Sequence, residues 1–149
     1  LRSFSDKEFI LKNIKDNTID TISSFHLPQD EESKRLPFEK AAFGAIGLQT
    51  LLPACLKLVH DKILDLPTLF KKISLNPAKL LNLKSGILKE DYPADLILFD
   101  PDKPFTVDRF KLLSKAKNTP FDGYKLYGEV LKTFVKGNEI YKSRNTIDT

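Results

Sequence analysis

The sequence is poor in the residues that build disulfides and metal sites. Its 149 residues include one cysteine, two histidines, no methionine and no tryptophan. The lone Cys55 excludes a disulfide within the chain and fits a reducing cytoplasm. His26 and His60 lie far apart in sequence, so with one cysteine they give no spacing typical of a metal site. We therefore expect no metal or other cofactor to be held by this chain alone.

Long apolar runs are also missing. No stretch approaches the roughly 18 apolar residues that a membrane-spanning helix needs, and the first residues show no signal-peptide pattern. The 24 basic and 20 acidic residues are interspersed, without a cluster of basic and aromatic side chains. The net charge of +4 is therefore interpreted as solvated surface. We predict a cytoplasmic protein that binds neither membranes nor nucleic acid.

The absence of methionine bears on completeness. The chain begins at Leu1, whereas a full translation product begins with methionine. We therefore expect this chain to be a piece of a longer protein. The N-terminal part of the same protein is then expected to pack against it as a partner. The content of 41% hydrophobic and 30% charged residues is typical of a soluble globular protein.

Helices are predicted mainly in the first half. Ser5 and Glu8 form the pattern of a capping box, which predicts a helix that begins with Ser5 as its cap. Apolar residues at helical spacing predict further helices at Leu51–Val59, Leu66–Ile73 and Asn76–Leu81. Asn76 is interpreted as the cap of the last helix, because a proline follows it at the first helical position.

Strands are predicted mainly in the second half. Thr18–Ser24 is short, rich in β-branched residues and bounded by turn residues, which predicts one early strand. The long charged loop Phe25–Lys40 follows it, and loops at strand ends often carry functional residues. Later strands are predicted at Asp95–Asp100, Lys125–Val135 and Glu139–Tyr141, the last two joined by a turn at Gly137-Asn138. The change in character predicts a domain boundary near residue 84, between segments 1–84 and 85–149.

A loop motif carries a family resemblance. Residues 25–29 read Phe-His-Leu-Pro-Gln, and Lys34 and Phe43-Gly44 follow. In dihydroorotases, which belong to the amidohydrolase superfamily, this loop reads Asp-His-Ala-Pro-His, with a Lys and a Phe-Gly pair at the same spacings. Residues 94–100 and 117–123 also resemble that family. The chain is similar to the C-terminal part of a dihydroorotase over nearly its whole length.

The resemblance implies a fold and a reaction. Residues 1–84 would form the C-terminal end of a (β/α)8 barrel, an α/β fold, and residues 85–149 part of a small β-sandwich domain. The family's reaction is the reversible hydrolysis of dihydroorotate to N-carbamoyl-aspartate in pyrimidine biosynthesis. Zinc activates the attacking hydroxide and an Asp relays the proton to the leaving nitrogen. The zinc ligands lie on earlier strands, so zinc is expected only for the intact protein.

The resemblance also assigns site residues. Phe25 occupies the position of the Asp, and a phenyl ring can neither bind metal nor accept a proton, so no residue of this chain is assigned a catalytic role. Gln29 takes the position of the second His and can still hydrogen-bond an amide or a carboxylate. Phe43 and Gly44 would contact the substrate through backbone groups. His26 is expected to serve the loop, because neighbours at a strand end point to opposite sides.

Two functions remain open at this point. One is an active dihydroorotase with a rearranged loop, and the other is a catalytically impaired relative that supports aspartate carbamoyltransferase. In either case a homo-oligomer is expected. We also expect Phe25 to pack against apolar neighbours, Asp30–Glu32 to form a solvated face, and Asn118 and Thr119 to shape the turn around Pro120.

Overall fold

Helices occupy the first half of the chain and a sheet occupies the second. The computed structural model describes residues 3–144. The elements in chain order are α1 (Phe4–Lys15), α2 (Glu31–Arg35), α3 (Leu51–His60), α4 (Leu66–Phe70), α5 (Asn76–Leu80), β1 (Leu96–Thr106), β2 (Lys125–Val135) and β3 (Asn138–Lys142). The strands form one antiparallel sheet in the order β1-β2-β3. None of the helices described in residues 3–144 is long and apolar enough to cross a membrane. The domain boundary near residue 84 stays a prediction.

The cap of helix α1 lies two residues earlier than predicted. Ser3, not Ser5, is the N-cap, and its hydroxyl accepts a hydrogen bond from the Asp6 backbone N–H at 3.1 Å. The Asp6 carboxylate accepts the Ser3 backbone N–H in return, also at 3.1 Å. The sequence holds two overlapping capping-box patterns, and the earlier pair adds Phe4 and Ser5 to the helix. The bonds from Ser3 lower the pKa of Asp6.

The two short helices predicted after residue 65 form one continuous rod. A π-helical turn at Lys71–Leu75 joins α4 to α5, and Asn76 has helical backbone angles. The prediction of Asn76 as a cap is therefore wrong. Pro77 lacks a backbone N–H and its ring would crowd the carbonyl four residues earlier. The wider π-turn absorbs that misfit, so the rod continues where an ordinary α-helix would end.

The predicted strand Thr18–Ser24 forms no ladder within the described part of the chain. Its backbone is tied to the π-turn through Lys72, whose carbonyl accepts the Ile22 N–H at 3.0 Å. The Lys72 ammonium group donates to the Ile19 carbonyl at 2.6 Å, and its side chain is 1% exposed. A strand needs an extended neighbour on at least one side, and residues 3–144 supply none here beyond a single bridge at His26.

Strands β2 and β3 form the predicted C-terminal hairpin. Its turn lies one residue earlier than predicted. Val135 pairs with Asn138, so the turn residues are Lys136 and Gly137. Their φ angles of 49° and 79° are those of the type I′ turn that matches the twist of two-residue hairpins. The Lys136 N–H donates to the Asp95 carboxylate at 2.8 Å, which ties the turn to the start of β1.

Helix α3 packs its apolar face onto the sheet. Leu56 is fully buried beside Leu69 of α4, and Phe99 of β1 packs against the same cluster. Gly128 of β2 faces the Leu56 side chain so closely that a Cβ atom would collide with it. The helices and the sheet therefore share one core, which also encloses Cys55.

Cys55 should resist alkylation in the folded protein. Burial raises the pKa of its thiol from 9.0 to about 11, so at pH 8 only about a thousandth is the reactive thiolate. We expect iodoacetamide at pH 8 to leave the Cys55 peptide unmodified until denaturant is added, as measured by mass spectrometry. Stability is also expected to fall between about pH 9 and 11, because the unfolded thiol ionises first. Rapid native-state labelling would show that α3 opens readily.

Candidate functional site

The loop that carries the motif has two arms. The first arm is residues 25–29 and the second arm is residues 43–47. They lie side by side in parallel: His26 pairs with Ala45, and the Leu27 N–H donates to the Ala45 carbonyl at 2.9 Å. Sequence-distant parts of the motif are thus brought together, and the two arms form a single surface.

The second arm needs glycine at two points of close approach. Gly44 has a φ angle of 121°, and a Cβ atom there would lie 2.6 Å from the Leu27 carbonyl oxygen. At Gly47 a Cβ atom would lie 2.7 Å from the Ser24 carbonyl oxygen. A side chain at either position would push the arms apart.

His26 serves the loop. Its Nδ1 accepts a hydrogen bond from the Gly47 backbone N–H at 3.0 Å, which leaves Nε2 as the protonated nitrogen when the ring is neutral. The side chain lines a cleft with Leu48 and Leu112, whereas Phe25 lines a different cleft with Gly44 and Ala54. His26 is thus engaged with Gly47 and lines a different cleft from Phe25; that the two side chains point to opposite sides stays a prediction.

The Gly44 carbonyl is held from two directions. The Lys34 ammonium group donates to it at 3.3 Å and to the Ala42 carbonyl at 2.7 Å. The Asn118 side-chain N–H donates to the same Gly44 oxygen at 3.2 Å. The prediction of Asn118 as a turn residue missed this contact, since a bond to a residue so distant in sequence has no local signal. Thr119 does shape the turn, because its hydroxyl accepts the Phe121 N–H at 3.2 Å.

Phe25 stands out in both its backbone and its exposure. Its φ angle is 42°, in the left-handed region that Asp and Asn tolerate better than Phe. Its side chain is 79% exposed, so the expected packing against apolar neighbours is wrong for the part of the chain described here. The reason is that no described segment covers this face of the loop. The backbone geometry at residue 25 therefore suits an aspartate better than the phenylalanine present.

The second arm offers two consecutive backbone donors. Neither the Phe43 nor the Gly44 N–H meets an acceptor within residues 3–144, and the Phe43 side chain is 92% exposed. Gln29 is half buried and is linked to Gly44 through Asn118, whose amide oxygen accepts the Gln29 backbone N–H at 3.3 Å; it lines a cleft with Lys34 and Arg109. Two N–H groups and one amide can bind a carbonyl or a carboxylate, but they cannot move a proton at neutral pH.

The acidic run beside the loop is structural. Asp30 is the N-cap of α2 and accepts the Ser33 backbone N–H at 2.8 Å, which lowers the pKa of Asp30. Glu31 forms an ion pair with Arg35 at 2.6 Å. Across residues 3–144 there is no group of three or more His, Cys, Asp or Glu side chains that could hold a metal ion. The donor set of residues 3–144 therefore does not fit a zinc centre.

Comparison with known proteins agrees with the loop geometry. Residues 40–140 match the family model described as "Amidohydrolase family". Over 142 residues the chain is 43% identical to a dihydroorotase of Desulforapulum autotrophicum, covering 95% of this chain and 33% of that protein. It is 40% identical to a dihydroorotase of Ehrlichia chaffeensis over 96% of this chain and 32% of that protein.

Solved structures give the same result for the fold. The L-hydantoinase (dihydropyrimidinase) of Arthrobacter aurescens superimposes with a TM-score of 0.91 at 30% identity, over 99% of this chain and 34% of that one. The dihydropyrimidinase of Brevibacillus agri, at 21% identity and a TM-score of 0.88, shares the fold. The chain spans about a third of the length of these relatives. Since the family model covers most of the chain and the fold agrees along nearly all of it, this chain belongs to the amidohydrolase family.

Proposed function

We propose that this chain is the part of a dihydroorotase that contacts the cyclic substrate through the two-armed loop. The observation that carries the proposal is the pair of unpaired N–H donors at Phe43 and Gly44, which lie between two held carbonyls, those of Ala42 and Gly44. Dihydroorotate and N-carbamoyl-aspartate both present carbonyl and carboxylate oxygens that such donors bind. The relatives named dihydroorotase support this substrate class.

The proposal includes a place in a larger fold. Residues 1–84 would form the last strand and helices of a (β/α)8 barrel, and residues 85–149 part of a small β-sandwich domain. The order helix, extended segment, loop, helix supports the barrel assignment. Large exposed apolar side chains in the first 50 residues support a covering segment elsewhere in the protein: Phe4, Phe9, Ile10, Leu36, Phe43 and Leu48.

In this role the chain's own residues bind and orient the substrate. The Phe43 and Gly44 N–H groups would hold one oxygen of the substrate, and the Gln29 amide would hydrogen-bond a second polar group. Zinc, which activates water in the family's reaction, would be held by residues outside this chain, because the described residues do not fit a zinc centre. We place the intact protein in the cytoplasm, as a homo-oligomer of pyrimidine biosynthesis.

One observation favours a second candidate, a non-catalytic partner of aspartate carbamoyltransferase. Phe25 and Gln29 replace the Asp and the second His of the family motif, and no acidic residue lies on the first arm. Without a group that carries the proton to the leaving nitrogen, substrate binding would not lead to turnover. In this candidate the loop has a structural role in the protein and no role in catalysis.

Ligand binding and turnover by the full-length protein separate these candidates. Calorimetric titration with dihydroorotate and N-carbamoyl-aspartate is expected to show binding in the micromolar to millimolar range. Binding with turnover identifies the enzyme, and binding without turnover identifies the impaired relative. If neither compound binds at millimolar concentration, the proposal is wrong.

A matched pair of variants tests the donor assignment. Phe43→Pro removes the backbone N–H and is expected to weaken binding about tenfold, the effect of one lost hydrogen bond. Phe43→Ala keeps the N–H and is expected to change the affinity less than about threefold. Equal losses in both variants would assign the contact to the phenyl ring.

A further inference from the structure

Asn118 connects the two arms of the loop through three hydrogen bonds. Its side-chain oxygen accepts the Gln29 N–H of the first arm at 3.3 Å. Its side-chain nitrogen donates to the Gly44 carbonyl of the second arm at 3.2 Å. Its backbone carbonyl accepts the Ile46 N–H at 3.0 Å. One residue from the segment between β1 and β2 therefore fixes the separation of the arms.

The chemistry of these contacts selects an amide at position 118. The first arm presents an N–H donor and the second arm presents a carbonyl acceptor, so the bridging group must accept on one side and donate on the other. A carboxylate would accept from Gln29 but repel the Gly44 oxygen. An alkyl side chain would leave the half-buried Gln29 N–H unpaired and the Gly44 carbonyl with Lys34 as its remaining donor.

Lys34 completes the support from the opposite direction. Its ammonium group spans the Ala42 and Gly44 carbonyls, which flank the two free N–H donors. Because a peptide unit is planar, the bond to the Ala42 carbonyl orients the Phe43 N–H of the same unit, and the bonds to the Gly44 carbonyl fix the unit that follows the Gly44 N–H. Lys34 contacts only the second arm, whereas Asn118 also bonds to Gln29 and so connects the first arm to the second.

We propose that Asn118 is a positioning residue for the substrate: its amide sets the spacing between Gln29 and Gly44 and, by holding the Gly44 carbonyl, fixes one end of the segment that carries the Phe43 and Gly44 N–H groups. This inference rests on the proposed function for the identity of the ligand. The arrangement of the arms themselves does not depend on any ligand. The segment after β1 thus reaches into the site without touching the substrate.

The test compares Asn118→Asp and Asn118→Ala with the matched control Asn13→Asp in the full-length protein. Asn13 donates to the Phe9 carbonyl within α1 at 2.7 Å, so its variant has the same charge change and also loses one side-chain bond. Amide hydrogen exchange at Leu27 and Ile46 reports the spacing of the arms. Calorimetry with dihydroorotate and N-carbamoyl-aspartate reports its effect on binding, and thermal unfolding reports global stability.

Both Asn118 variants are expected to speed exchange at Leu27 and Ile46 by about tenfold, and to weaken ligand binding by about tenfold, with a melting temperature within about 3 °C of the unmodified protein. Asn13→Asp is expected to change none of the three. Unchanged exchange and affinity in both Asn118 variants would overturn the proposal, and so would a general loss of protection with a large fall in melting temperature. If the unmodified protein binds neither compound, the proposed function fails, and exchange at Leu27 alone then decides whether Asn118 positions the arms.

Discussion

Gly44→Ala is expected to destabilise the protein by about 2–4 kcal/mol and to abolish binding of dihydroorotate and N-carbamoyl-aspartate. Two effects combine at this position. The φ angle of 121° is one that side chains rarely adopt, and the new Cβ would lie 2.6 Å from the Leu27 carbonyl oxygen. Backbone atoms cannot move aside as a flexible side chain can, so the two arms must separate. Denaturant unfolding and calorimetry of the full-length variant measure both effects.

Gly123→Ala is the control that separates backbone strain at a positive φ angle from a steric clash of the new Cβ atom. Gly123 also has a positive φ angle, 76°, but a Cβ atom added there would meet nothing within 4 Å. We expect this variant to cost only about 1 kcal/mol and to bind both compounds like the unmodified protein. If the two alanine variants behave alike, the close approach of the arms at Gly44 is not what the site requires.

Phe25→Asp is expected to leave stability unchanged or raise it by about 0.5–1 kcal/mol, since aspartate tolerates the left-handed backbone better than phenylalanine. The exposed position adds no desolvation cost from the described part of the chain. The single variant is expected to leave dihydroorotate turnover unchanged, because Gln29 still lacks the charge of a histidine. Phe25→Asp with Gln29→His is expected to raise turnover by up to about a hundredfold, provided that the rest of the protein supplies zinc ligands.

The control for the stability effect is Phe38→Asp. Phe38 is 78% exposed, close to the 79% of Phe25, but its φ angle is not positive. An equal stability change in both variants would remove the backbone argument for residue 25. Robust turnover by the unmodified protein would show that another group carries the proton, and a double variant no faster than the unmodified protein would show that the acid position has lost its geometry.

Local patterns predicted the elements that depend on local chemistry. Helix α3 follows from apolar spacing with Pro53 in its first turn, and the hairpin follows from its turn residues. The spacing of Phe25, Gln29 and Phe43-Gly44 indicated the family, and the structure adds that the two arms pair at His26 and Ala45. Their contacts with substrate stay a prediction.

Long-range contacts explain what the sequence could not predict. Asn118 is a turn residue by its neighbours, and only the fold brings its amide to Gly44. Asn76 has the local signature of a cap, but its side chain instead donates to the Asp20 carbonyl at 2.8 Å from within a continuous helix. The exposure of Phe25 likewise depends on which segments lie nearby. In each case a tertiary neighbour, and not a propensity, decides the outcome.

The π-turn at Lys71–Leu75 makes the rod sensitive to chain length. A π-turn holds one residue more than an α-turn, and the wider turn keeps Pro77 clear of the carbonyl four residues before it. Deleting one residue there would allow regular α-helical bonding and leave α5 on the same face. The Pro77 ring would then crowd that carbonyl, at a cost of about 3 kcal/mol or more. A single-residue deletion in this turn is therefore more damaging than most substitutions within it.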